Sequence, residues 1–151
     1  MAEIVCAVQI DAPPEDVWAA VIDWRGQGEW MLATRVRPTS RGGQGVGARI
    51  EAVTGVGRLA VHDPMEITHW EPPRRCLVRH LGRVIRGAGA FEVEPIEGGR
   101  SRLLWSEWLD LPLGRLGQVG FLAVRPLLRA GVQLSLRRLA GRLGSARAGG
   151  R

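Results

Sequence analysis

Lysine, asparagine and tyrosine do not occur in this 151-residue chain, and phenylalanine occurs only twice. All 21 basic residues are therefore arginine, which a GC-rich coding bias explains as readily as a functional demand. Cysteine is limited to Cys6 and Cys76, far apart and without C-x-x-C spacing. That pattern predicts reduced thiols in a cytoplasmic protein rather than a disulfide framework. The three histidines, His62, His69 and His80, show no H-E-x-x-H or similar spacing, so no metal site is expected. Two loose G-x-G-x-x-A matches, starting at Gly43 and Gly55, each precede or open a strand. A dinucleotide fingerprint must open a helix, so both read as hairpin loops and no cofactor is expected. The N-terminus has no charged n-region or apolar h-region, and no signal peptide is expected. Residues 116–136 are interrupted by Arg125 and Arg129, which argues against a membrane span.

The apolar fraction of 45% is ordinary for a globular protein, and the length suits one domain with one core. Charge is unevenly placed. Residues 111–151 hold eight Arg and no acid, a net of +8; the first 110 hold 13 Arg against 15 Asp plus Glu, a net of −2. A uniformly basic domain would suggest nucleic acid, but here the six tryptophans lie outside the basic segment, and a stacking platform for single strands is not expected. One basic helix on a near-neutral body suits either a solvated face or an anionic surface.

Along the chain, Ile4, Cys6, Val8 and Ile10 alternate and predict a strand over 3–10. Pro13 and Pro14 end it, Asp11 is placed to cap the next helix, and helical pieces are expected at 14–22 and 26–31. Strands are then expected at 33–40, 46–53, 58–71 (bent or bulged at Pro64), 75–81, 84–95 and 101–111, with turns at Ser40–Gly45, Glu71–Arg74 and Glu97–Arg100. From 113 to 144 the pattern is helical, with Val124, Leu128, Val132 and Leu139 as the core stripe, small Gly131 and Ser135 between them, and a kink expected at Pro126. Residues 145–151 read as a flexible basic tail.

The segment Ile10-Asp11-Ala12-Pro13-Pro14-Glu15-Asp16-Val17-Trp18, continuing to Asp23-Trp24 and Trp30, resembles the N-terminal signature of the START-like (SRPBCC) superfamily, the polyketide cyclase/dehydrase and lipid transport group. The Glu71-Pro72-Pro73-Arg74 turn matches that family's usual connection. The resemblance covers nearly the whole chain and implies an α+β helix-grip fold over residues 1–144. Its parts would be a curved antiparallel sheet of about seven strands, two short helices after the first strand, and a long C-terminal helix acting as lid over a cavity.

The expected cavity wall comprises Trp30, Met65, Ile67, His80, Phe91, Trp105, Glu107, Val124 and Leu128. In 84–95 the interior face is Ile85, Gly87, Gly89, Phe91 and Val93, where the glycines either curve the sheet or let another group approach closely. In 65–70, Met65, Ile67 and His69 oppose Glu66, Thr68 and Trp70; in 75–81 the less charged face is Cys76, Val78 and His80. Neither face of 101–111 is cleanly apolar. The resemblance favours Trp105 facing inward, which would carry Glu107 with it; the opposite register leaves Glu107 solvated. An inward Glu107 would have its pKa raised by burial and, with His80, would supply acid–base chemistry.

Three functions stand as alternatives. The first is binding of a small hydrophobic, lipid- or polyketide-like ligand for transport or sequestration. The second is a cyclase/dehydrase-type enzyme, weakened by the absence of tyrosine and of an inward Arg-plus-hydroxyl cluster. The third is a membrane-associated partner module working through the Arg-rich terminal helix.

Overall fold

The alternation at the N-terminus forms β1 (Ala2–Ile10), with Ala2, Ile4, Cys6 and Ile10 buried, in a computed structural model that describes residues 2–150. Pro14 occupies the first turn of α1 (Pro14–Ile22), where its missing N–H costs nothing. Asp11 does not cap this helix. Its carboxylate accepts a hydrogen bond from Arg147 at 3.0 Å, and Pro13 stands at the cap position without a side-chain bond. A short 3-10 helix, Arg25–Glu29, replaces the second helical piece expected at 26–31.

Six further strands complete the sheet: β2 (Thr34–Pro38), β3 (Arg49–Thr54), β4 (Val61–Glu71), β5 (Arg75–Leu81), β6 (Arg86–Ile96) and β7 (Arg100–Leu109). All pairings are antiparallel, in the order β1-β7-β6-β5-β4-β3-β2. β1 and β2 are thus opposite edges, and the chain must cross the open end of a curled sheet between them. α1 and the 3-10 helix make that crossing. They bury Val17, Trp18, Val21, Trp24 and Trp30, and Trp18 meets Trp70 of β4 edge-on at 5.2 Å. Trp24 donates its indole N–H to the Gly43 carbonyl at 2.7 Å. A side chain at residue 43 would collide with that indole, and its φ of +69° disfavours any other residue.

Two expectations about β4 change. Pro64 is not a bulge: β5 pairing stops at Met65, so its missing N–H falls where that ladder has ended. The irregularity lies between Ile67 and His69 instead, and it reverses the inward side beyond that point. Trp70 therefore packs on the core, while His69 reaches outward to Glu71 at 3.3 Å.

The terminal helix α2 (Gly114–Gly149) is continuous through Pro126 and extends past the expected end at 144; Arg147 within it reaches Asp11 and the Gly99 carbonyl. Its buried residues are Phe121, Ser135, Leu136 and Leu139, with Val132 partly buried, rather than the full stripe expected. Val124 and Leu128, expected in a cavity wall, are 48% and 44% exposed. The reason is length and placement. α2 lies along the edge strand β1. Its 36 residues span about 54 Å, whereas the nine of β1 span about 30 Å. The Arg129 carbonyl lies over Cys6, midway along β1, so the first turns of α2 run past the end of the strand.

Candidate functional site

On the concave face, at the end of the sheet away from α1, four side chains form one hydrogen-bonded chain. Asp63 of β4 holds His80 of β5, whose Nδ1 lies 2.8 Å from Asp63 Oδ2. The other ring nitrogen of His80, Nε2, lies 2.9 Å from Glu107 Oε2 on β7. The second carboxylate oxygen of Glu107 accepts the indole N–H of Trp105 at 2.7 Å.

This contact skips a strand. β5 and β7 flank β6, so their backbones stand about 10 Å apart. His80 pairs with Gly87 and Glu107 with Gly89, which leaves no β6 side chain between them. A Cβ at residue 89 would sit 3.0 Å from Glu107 Oε2. Of the two roles expected for the β6 glycines, close approach of another group is therefore realised.

Electrostatics follow from burial and pairing. The His80 side chain is 4% exposed, Asp63 10% and Glu107 19%. Burial alone pulls the imidazole pKa down, but hydrogen bonds to Asp63 and Glu107, with the charges of both, outweigh it and raise the pKa to about 9. At neutral pH His80 is thus an imidazolium between two carboxylates, donating from both nitrogens. By contrast, burial pushes the Cys76 thiol up to about 12, which leaves it inert as a nucleophile.

Around this chain the surface is aromatic. Phe91 lies 5.2 Å from Trp105, and Trp30 packs edge-on to Trp105 at 6.3 Å. Trp30 is buried, and its indole N–H has no hydrogen-bond partner among the described residues. Phe91, Val78 and Trp105 are half-buried, whereas Met65 and Ile67 lie in the core. Of the expected wall, the structure thus gathers Trp30, His80, Phe91, Trp105 and Glu107, with Met65 opposite His80 in the ladder. Val124 and Leu128 stand apart. Two surface depressions are lined by other residues, one by Glu29, Arg138 and Arg142 and the other around Ile22, Trp24 and Gln44.

Asp63 is the one member of the chain that the sequence does not single out, although it shares the parity of Met65 and Ile67 and so the inward face. His62 faces out and pairs with Glu51. No cluster of three metal-ligating side chains occurs among the described residues. Chemically, the chain can hold a proton at His80 Nε2, against a carboxylate partly open to solvent.

Residues 1–144 match the protein family described as polyketide cyclase/dehydrase and lipid transport. No curated protein matches the sequence. Among solved structures, TTHA0849 from Thermus thermophilus superposes with a TM-score of 0.79 at 22% identity, covering 96% of this chain and 99% of that one. DR_A0006 from Deinococcus radiodurans gives 0.71 at 18%, covering 96% and 99%. The Aha1 dimer from Colwellia psychrerythraea gives 0.67 at 16%, covering 95% and 97%. At these identities the likeness is one of fold, the curled sheet with its long terminal helix.

Proposed function

The chain belongs to the polyketide cyclase/dehydrase and lipid transport family, and from that premise we propose that it binds a small hydrophobic molecule against the concave face. Trp105, Phe91 and Val78 form the apolar floor, and Glu107 holds a hydroxyl or other donor on the ligand. The observation that carries this reading is Glu107 itself, a carboxylate fixed by His80 and Trp105 and partly open within an aromatic wall. Apolar surroundings with a few convergent polar groups are what small-molecule sites offer. The unpaired indole N–H of Trp30 supports an acceptor on the same ligand, since an unsatisfied buried donor costs about 1–3 kcal/mol. As part of the same proposal the protein acts in the cytoplasm, a reading supported by its two unpaired, buried cysteines.

Native mass spectrometry of protein isolated from its own host tests this, together with Nile red titration. The expected result is a co-purified apolar species and a saturable Nile red site that competes with it. Glu107→Gln should lose the co-purified species and keep Nile red binding. Protein that is empty from its host and binds no Nile red refutes the proposal.

A second reading, acid–base catalysis of a cyclase or dehydrase type, is favoured by the Asp63–His80–Glu107 chain, whose geometry suits proton transfer at His80 Nε2. It predicts that His80→Gln binds the identified ligand normally and leaves it unconverted, where the wild type converts it.

A further inference from the structure

The side of α2 turned away from the sheet presents an apolar face to solvent. Taking 100° per residue, Phe121, Leu136 and Leu139 define the side turned to the core. Leu116, Val119, Leu127 and Leu134 fall on the far side, with Ala123 and Ala130 completing the stripe. Leu116 is 78% exposed and Leu127 76%. Such spacing normally marks a buried face, and here it is repeated on the side that the sheet does not reach.

Charge says what suits that face. Residues 111–151 contain no acid. Arg142 pairs with Glu29 and Arg147 with Asp11, but Arg115, Arg129 and Arg137, which flank the stripe along one edge, make no ion pair among the described residues. A second copy of this helix would set like charges against one another. Membrane crossing is also disfavoured. α2 is long and apolar enough to span a bilayer by length and composition, with a mean hydropathy of 1.2 over its best window. Spanning would nevertheless strip Phe121, Leu136 and Leu139 from the core.

We propose that the outward face of α2, from Arg115 to Arg137, docks the protein on an anionic lipid surface. The stripe Leu116–Val119–Leu127–Leu134 enters the acyl boundary, and Arg115, Arg129 and Arg137 meet the phosphates. The helix lies in the interface plane, as amphipathic helices with basic flanks do. α2 starts five residues after Leu109, the end of β7 nearest Glu107, so docking sets the polar end of the concave face beside the bilayer. The proposal stands whether or not a ligand binds there.

Co-sedimentation with phosphatidylcholine vesicles, with and without phosphatidylglycerol, is the test. Binding should require phosphatidylglycerol and weaken with salt. Arg129→Ala and Arg137→Ala should each weaken it about fivefold, and Leu116→Glu with Leu127→Glu should abolish it. These side chains are exposed, and unchanged circular dichroism would confirm folding of each variant. Absence of binding, equal binding to both vesicle types, resistance to alkaline carbonate extraction, or a dimer that dissociates in the Leu116→Glu, Leu127→Glu variant would each overturn the proposal.

Discussion

The two ends of the concave face use the same strands for opposite purposes. At the α1 end, Trp18, Trp70, Ile10, Cys76, Val93 and Leu103 pack into an apolar plug, and its buried hydroxyl, Ser101, is satisfied by the Ala12 carbonyl at 2.8 Å. At the other end no helix among the described residues crosses the sheet. There Asp63, His80 and Glu107 satisfy one another, and Glu107 stays partly in water. A covered end gains stability from burial. An uncovered end can keep charges close to solvent, and its groups remain available to a ligand.

Three perturbations sharpen that contrast. Trp18→Ala should cost about 3–5 kcal/mol in urea unfolding, because it empties a large buried volume and removes the edge contact with Trp70. A cost below about 1 kcal/mol would mean that the plug does not hold the sheet end. Gly89→Val should cost less, about 1–3 kcal/mol, because its side chain pushes Glu107 off His80. It should also bring the His80 pKa down, readable from the imidazole resonances by NMR; an unmoved pKa would show that Glu107 does not bear on it.

The third perturbation is pH. His80 titrates near 9 when folded against an ordinary 6.5, so between these values the native state holds the extra proton. Stability from this source is complete below about pH 6.5 and is lost as pH rises through about 9. His80→Gln should flatten that part of the urea-midpoint profile, whereas Trp18→Ala should shift the whole profile without altering its slope. An equally steep profile in His80→Gln would assign the dependence elsewhere.

Much of this fold is legible in short-range patterns. Period-two alternation marks β1 and the inward faces of β5 and β6, and the Pro13–Pro14 break marks where α1 begins. In the site, the pairing of His80 with a carboxylate is only half visible. His80 stands out as a polar residue on the less charged face of its strand, and Glu107 is carried inward only if Trp105 is, but Asp63 adjoins Pro64, where the sequence pattern suggests a bend rather than a regular inward position. His69 falls inward only if the alternation of β4 runs unbroken, and residue types do not announce the bulge that breaks it.

Local sequence determined the elements, their order, the tryptophan-rich plug and the concentration of arginine in residues 111–151. Those properties depend on neighbours within a turn or a strand. The tertiary structure decided three matters: the reversal at Ile67/His69, the meeting of His80 and Glu107 across two glycines, and the face of α2 left uncovered. Each depends on register or length matched between segments far apart in the chain, and no local periodicity encodes that match.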